Sequence, residues 1–108
     1  MNIQKNIPCI IDGAKVLYST RIDARHTWTR ACKHTIGGST AGKMAELAIC
    51  QYDNESNVYL FGCNSDWITL TDTWHETVED AMKQAEFEYA GTKQTWMKHE
   101  HNETSQTG

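Results

Sequence analysis

The stretch IGGSTAGKM, residues 36–44, has the most recognisable chemical spacing in this chain. Gly37, Gly42 and Lys43 fit G-x-x-x-x-G-K, the start of a loop that binds phosphate through backbone N–H groups and a lysine. That chemistry needs a strand before the loop, a helix directly after the lysine and a hydroxyl that holds magnesium. Here Met44 replaces the hydroxyl residue, and a strand is predicted to follow. We therefore predict a glycine-rich connection and no nucleotide cofactor.

The cysteines raise a second option, a metal site. Cys9, Cys32, Cys50 and Cys63 contain no C-x-x-C pair. A zinc site from Cys32, His34 and two distant cysteines has no ligand spacing behind it, so we assign no metal ligands. The N-terminus lacks the apolar core of an export signal, which predicts a cytoplasmic location and four free, mostly buried thiols.

Acid–base catalysis has one candidate, His75. It lies between Trp74 and Glu76 at a predicted junction of strand and helix, where side chains can reach a cleft. No G-x-S-x-G, H-E-x-x-H or Cys-His signature accompanies it. We therefore predict no catalytic residues, and an enzyme or small-molecule binder with a cleft near His75 remains an alternative.

A cluster of basic residues lies in the N-terminal half of the chain. Arg21, Arg25, Arg30 and Lys33 surround Trp28, and cations interleaved with an aromatic ring can bind nucleic acid. The chain nevertheless has a net charge of −4, which phosphate would repel, so nucleic acid is not the predicted partner.

The charge is unevenly distributed along the chain. Residues 1–43 carry seven Lys and Arg against two Asp, whereas residues 44–108 carry three Lys against twelve acids. Such a chain can pair its halves, form a dimer or present an acidic surface to a basic partner. Its apolar runs are all too short to span a membrane, so no membrane contact is predicted.

Turn residues and the period of the apolar residues predict the secondary structure. Asp12-Gly13 predicts a tight hairpin between two apolar segments. Residues 24–36 fit a helix with Trp28 on its apolar face, although their three threonines also suit a strand, and the 3.6-residue period favours the helix. Further strands are predicted over 44–52, 57–63 and 67–74.

The helix that follows these strands has the clearest signals. Thr77 is the predicted N-cap, and Val78, Ala81, Met82, Ala85 and Tyr89 form one apolar face. The fold class is therefore α+β: an antiparallel sheet of about five strands with a C-terminal amphipathic helix on one face, in a single domain over 1–91. Residues 92–108 are predicted to be a polar, partly disordered tail.

Residues 66–91, and above all LTDTWHET followed by QAEFEY, resemble short uncharacterised bacterial proteins carried on mobile elements such as integron gene cassettes. The resemblance implies a bacterial accessory protein and carries no catalytic residues. The run DTWHETVEDA also resembles strand-then-helix tails of HicB-type antitoxins, with two extra residues before the acidic run.

Large aromatic side chains exceed what one small sheet–helix core needs. A surplus at the surface favours contacts with a partner, which predicts a non-enzymatic binding or protein-interaction module. The alternative is an immunity protein or antitoxin that covers a basic toxin. Phe87 lies on the polar side of the helix, so we expect either Trp96 or a second subunit of a homodimer to cover it. The candidate binding residues are Trp67, Trp74, His75, Phe87 and Trp96.

Overall fold

The structure, a computed structural model, describes residues 7–36 and 38–100. Among the described residues, four strands of six to eight residues lie together in one sheet, and each of the other strands has two residues. They are β1 (Ile10–Ile11), β2 (Ala14–Arg21), β3 (Thr27–Trp28), β4 (Thr35–Ile36), β5 (Ser39–Thr40), β6 (Glu46–Gln51), β7 (Val58–Cys63), β8 (Thr69–His75), β9 (Tyr89–Ala90) and β10 (Met97–Lys98). The α-helix α1 spans Val78–Glu88, and a short 3₁₀ helix spans Thr92–Gln94.

The main sheet is antiparallel and has the strand order β1-β2-β6-β7-β8, with β10 also paired to β2. This confirms the predicted antiparallel sheet of about five strands and the α+β class. The connections from β6 to β7 and from β7 to β8 are short, which requires antiparallel pairing, whereas β2 reaches its neighbour β6 through residues 22–45. None of the helices among the described residues combines the length and the apolar character that crossing a membrane requires.

The predicted hairpin is confirmed. Ile11 pairs with Ala14, and the two residues between them, Asp12 and Gly13, have φ angles of 49° and 81°. Two successive positive φ angles are typical of the type I′ turn, whose twist matches that of the strands it joins.

The helix predicted over 24–36 is wrong. This segment contains the short strands β3 and β4, joined by irregular chain in which Arg30 has a φ of 61°. The Arg30 guanidinium lies 4.4 Å from the centre of the Trp28 ring, and the Thr29 N–H donates to the Glu88 carbonyl at the end of α1. Tertiary contacts therefore override a helical period that the segment could have followed.

The two faces of the sheet have separate cores. The first lies between the sheet and α1, and Trp96 packs against it; its buried members are Ile22, Met44, Leu47, Ile49, Val58, Leu60, Ala81, Ala85 and Tyr89. The second lies on the face away from α1; its members are Ile11, Ala14, Val16, Ala48, Cys50, Phe61, Cys63 and Trp67.

Helix α1 begins as predicted. The Asp80 N–H donates to the Thr77 hydroxyl at 3.0 Å, as expected of an N-cap threonine. The helix ends at Glu88, three residues before Gly91, so Gly91 lies beyond the C′ position at which a glycine commonly ends a helix. Gly91 instead has a φ of 103° at the start of the 3₁₀ helix.

Residues 92–100, which the sequence assigns to the tail, lie against the sheet. The His99 N–H donates to the Leu17 carbonyl at 2.9 Å, and Met97 pairs with Ser19. The Thr95 hydroxyl lies 2.6 Å from that of Thr20. The remainder of the predicted tail, residues 101–108, lies outside the described residues.

Candidate functional site

The candidate binding residues do not converge on one site. Trp67 is 8% exposed and belongs to the second core, and Trp96 packs against the first core. Trp74 and Phe87 are 56% and 55% exposed, but Trp74 lies on the sheet and Phe87 on the helix. His75 is half-buried, and its Nε2 lies 2.7 Å from the Thr73 hydroxyl.

His75 and Trp74 point to opposite faces of the sheet. His75 pairs with Val58, a member of the core under α1, whereas Trp74 pairs with Tyr59, which packs against the second core. Burial lowers the pKa of His75, opposed by the negative charges of Asp80 and Glu88. His75 is therefore neutral at pH 7 and belongs to the surroundings of α1.

The basic residues of the N-terminal half are largely paired. Arg21 donates to the Glu46 carboxylate at 2.7 Å, and Arg25 forms an ion pair with Asp23 at 2.9 Å. Arg30 stacks on Trp28, and Lys33 is exposed. Pairing reduces the positive field that a nucleic acid backbone would need.

The sequence Gly42-Lys43-Met44 does not lead into a helix. Lys43 is exposed, Met44 is buried in the first core, and strand β6 begins at Glu46. The Met44 N–H donates to the hydroxyl of Tyr89 at 2.8 Å, so it is not available to a phosphate. Gly37 lies outside the described residues, but the strand predicted after the lysine is confirmed.

The four cysteines are free thiols, as predicted. Cys50 and Cys63 are buried in the second core, and burial raises the pKa of both thiols, that of Cys63 to about 12. Cys9 is exposed and Cys32 is half-buried. The two core thiols therefore stay protonated and behave as small apolar side chains.

An aromatic surface lies on the sheet face away from α1. The Tyr52 and Tyr59 rings pack edge to face with their centres 5.5 Å apart, and Tyr59 also lies 6.1 Å from Phe61. Trp74 is the direct neighbour of Tyr59 across the β7–β8 pair. We call Tyr52, Tyr59 and Trp74 the open aromatic face.

Carboxylates flank the open aromatic face. Asp72 is exposed, pairs with Phe61 and so shares this side of β8 with Trp74. Tyr52 donates its hydroxyl proton to the Asp12 carbonyl at 3.0 Å. Burial raises the pKa of Tyr52, and the negative charges of Asp12 and Asp72 raise it further. Exposed Asp53 and Glu55 lie in the adjoining hairpin loop. The surface combines apolar rings with negative charge.

A second feature lies on the other side of the sheet, where three metal-ligating side chains meet. His34 Nε2 lies 3.6 Å from Cys32 Sγ and 3.0 Å from Glu88 Oε1. The three donor atoms all lie within 4.8 Å of one another. We call Cys32, His34 and Glu88 the Cys-His-Glu cluster.

Two local features build the Cys-His-Glu cluster. Cys32 and His34 lie in the irregular chain between β3 and β4, and the Cys32 Sγ lies 3.6 Å from the His34 Nε2. Glu88 is the last residue of α1, and Thr29 holds this irregular chain against the helix end by donating its hydroxyl proton to the Phe87 carbonyl at 2.7 Å. The cluster adjoins a narrow cleft lined by His34, Glu88, Thr71 and Thr73.

The Cys-His-Glu cluster is not arranged as a nucleophilic triad. In a triad the base contacts the nucleophile with one ring nitrogen and its orienting carboxylate with the other. Here Nε2 of His34 faces both Cys32 and Glu88. Burial and the nearby Glu88 charge also raise the pKa of Cys32, which disfavours the reactive thiolate.

The sequence contains only part of the signal for this cluster. In the sequence, Cys32 and His34 suggest a zinc site only together with two distant cysteines, whereas in the structure their third neighbour is Glu88, 54 residues from His34. Glu88 is 8% exposed, which is unusual for a glutamate, and the apolar face of α1 does not predict this burial.

Comparisons of the chain with protein-family models, curated proteins and solved structures find no match.

Proposed function

We propose that this protein is a non-enzymatic protein-interaction module of a bacterial accessory genome and binds its partner through the open aromatic face. The observation that carries the proposal is Trp74, which is 56% exposed on a face that α1 does not cover. Tryptophan and tyrosine are the side chains that most often anchor interfaces, since they bury a large area with few rotatable bonds.

The proposed occupant is a protein surface that places Lys or Arg beside an apolar anchor. Asp72 lies on the same side of β8 as Trp74, and Asp12 lies beside Tyr52. A cation between a carboxylate and an aromatic ring gains from the ion pair and from the ring quadrupole. This charge layout also supports the specific alternative of an immunity protein or antitoxin that covers a basic toxin.

Pairing of β8 with another β8 fits this surface less well. A register shift between Gly62 and Cys63 interrupts the β7–β8 pairing, and Asp72 is exposed on β8, the edge strand of the sheet. Bulges and edge charges are the features by which proteins prevent pairing between sheets. The proposed contact therefore uses the face of the sheet and not its edge.

A selection from a random-peptide library displayed on phage tests this proposal. We expect the enriched peptides to carry Lys or Arg next to an aromatic or aliphatic residue, and to bind more weakly as salt rises. Trp74→Ala should weaken a selected peptide by at least about 10-fold in calorimetric titration, as for an interface anchor. Asp72→Asn should weaken it several-fold.

Phe87→Ala is the matched control, because Phe87 is as exposed as Trp74 but lies on α1. It should leave the affinity of the selected peptide unchanged. The proposal is wrong if nothing is enriched over a control target, if the enriched peptides lack basic residues, or if they bind Trp74→Ala as tightly as the wild type.

Phe87 supports a second contact, between two copies of the chain. It is 55% exposed among the described residues, and Trp96 packs against the first core and does not cover it. We expect a homodimer in light scattering that Phe87→Ala converts to a monomer while the helix signal in circular dichroism is unchanged. Met97→Ala, at a residue 65% exposed on β10, should leave the dimer intact. A wild-type chain that is monomeric at high concentration contradicts this expectation.

An enzyme or small-molecule binder with a cleft near His75 has less support. Thr73, which lines the narrow cleft, forms a hydrogen bond with His75 on its own strand. That contact accounts for the position of the imidazole without a ligand.

A further inference from the structure

The last turn of α1 concentrates negative charge. Glu86 and Glu88 lie there, and the turn contains no basic residue. A helix C-terminus already carries a partial negative charge, so carboxylates at this end are unfavourable unless a cation is near. Glu86 has its own partners in the N–H groups of Gly91 and Lys93, both at 2.9 Å. Glu88, which is 8% exposed, has the stronger need for a positive charge.

The side chains next to Glu88, an imidazole and a thiol, are borderline and soft metal ligands. Its Oε1 lies 3.0 Å from His34 Nε2, which lies 3.6 Å from Cys32 Sγ. For zinc, with bonds of about 2.3 Å to sulfur and about 2.0 to 2.1 Å to nitrogen or oxygen, tetrahedral angles place S and N about 3.5 Å apart and N and O about 3.3 Å apart. The observed spacings are within a few tenths of an ångström of those values.

The second carboxylate oxygen of Glu88 is held independently. The side-chain amide of Gln84, one turn earlier on α1, donates to Glu88 Oε2 at 2.6 Å. Such outer hydrogen bonds fix the orientation of a ligating carboxylate. The bond leaves Oε1 aimed at His34 and Cys32.

We propose that Cys32 Sγ, His34 Nε2 and Glu88 Oε1 bind one divalent cation of the zinc class. A thiolate and an imidazole select zinc or cobalt over magnesium and calcium, which prefer oxygen ligands. Three protein ligands leave a fourth position for water or an exogenous ligand, as in catalytic zinc sites. The cation would connect the irregular chain around Cys32 to α1 and neutralise the charge at the end of the helix.

Cobalt(II) gives a direct spectroscopic test on the full, untagged chain kept reduced with a phosphine. We expect one equivalent of Co²⁺ to produce the visible d–d bands of tetrahedral coordination and a near-ultraviolet band of sulfur-to-cobalt charge transfer. Zinc added afterwards should abolish both bands by displacement. Zinc at about 100 times its dissociation constant should raise the Tm by roughly 10 °C.

Variants with matched controls assign the ligands. Cys32→Ser should remove the charge-transfer band, and Glu88→Gln should weaken zinc binding by at least about 10-fold. Cys9→Ser, at an exposed thiol, and Glu79→Gln, at an exposed carboxylate of the same helix, should change neither property. His99→Ala controls for the histidines near the C-terminus and should also leave both properties unchanged.

Several results would overturn the proposal. One is a cobalt spectrum without a sulfur band in the wild-type chain. Another is a sulfur band that Cys9→Ser removes and Cys32→Ser retains. A third is a wild-type Tm that zinc does not change, because a cation bound by the folded chain alone must raise it. In any of these cases the contact between Glu88 and His34 is a hydrogen bond only. The peptide selection through Trp74 is unaffected by all of these results, since that residue lies on the opposite face.

Discussion

Gly91→Ala should lower the free energy of unfolding by about 3 kcal/mol, a large share of the stability of a domain this size. Gly91 has a φ of 103°, which residues with a side chain rarely adopt. A Cβ built there would lie 2.7 Å from the Arg25 carbonyl oxygen, a backbone atom that cannot move alone. The substitution therefore combines an unfavourable backbone conformation with a steric overlap.

The Gly91→Ala substitution should also destabilise the contacts of the chain that follows Gly91. Thr95 is held by hydrogen bonds to Thr20 at 2.6 Å and to His26 at 2.9 Å, and Met97 pairs with Ser19 on β2. A displaced Gly91 would move the chain from Thr92 to Lys98 relative to β2. We expect faster hydrogen exchange at the His99 amide, which donates to Leu17 in the wild-type chain.

Gly38→Ala is the matched control that separates the steric overlap with Arg25 from the cost of the backbone conformation. Gly38 has a φ of 86°, but a Cβ there has nothing within 4 Å. It should cost only the conformational term, about 1 kcal/mol. Urea unfolding followed by tryptophan fluorescence measures both variants. Equal losses in the two variants would mean that the contact with Arg25 contributes nothing.

The parts of the fold that the sequence predicts are those with local causes. Asp12-Gly13 determines its turn through the φ angles that these two residues tolerate, and Thr77 caps α1 through a bond to a residue three positions away. The central strands alternate or run apolar because one or both faces are buried. None of these features depends on knowing which distant segment lies nearby.

The helix prediction for residues 24–36 is wrong for the opposite reason, because distant contacts determine the structure of this segment. Its helical period is present, but its conformation is decided by contacts with the end of α1, where Thr29 binds the Phe87 and Glu88 carbonyls. The same contacts bring Cys32 and His34 to Glu88. Since the spacing between His34 and Glu88 is set by the fold alone, no ligand motif could predict the Cys-His-Glu cluster.

The aromatic residues show the limit of a composition argument. Four large rings predict a surplus at the surface, but burial separates them: Trp67 and Trp96 pack against the cores, while Trp74 and Phe87 are exposed. Trp67 reaches its place through a φ of 64°, in a turn that the Asn64 side chain stabilises by accepting the Asp66 and Ile68 N–H groups. Sequence alone contains no sign of that turn.

Glu46 should make the protein less stable as pH rises from about 5 to 8, the reverse of the usual behaviour of a carboxylate. It is 1% exposed, and its burial raises the pKa to about 7 although Arg21 donates to it at 2.7 Å. Its Oε1 has no hydrogen-bond partner. Between the unfolded pKa of about 4.5 and the folded value, the folded state binds more protons, so its advantage is complete at low pH and lost above pH 7.

The expected effect is up to about 3 kcal/mol, from 1.4 kcal/mol for each unit of pKa difference. Other groups titrate in the same range: the lowered pKa of His75 makes stability rise with pH there and opposes Glu46. The measurement is therefore the difference between the wild type and Glu46→Gln in urea unfolding at several pH values. Glutamine keeps the shape and a carbonyl for Arg21, so the two chains should be close in stability at pH 5. At pH 8 the variant should be more stable.

Glu86→Gln is the control, because hydrogen bonds from Gly91 and Lys93 lower the Glu86 pKa. Its contribution is present above the unfolded pKa and is lost only as pH falls below it, so its difference from the wild type should not change between pH 5 and 8. A Glu46→Gln difference that is equally constant would mean that Glu46 is ionised throughout. The ion pair with Arg21 would then outweigh the burial of the carboxylate, and Arg21→Met should destabilise the chain strongly at pH 8 by leaving that charge alone.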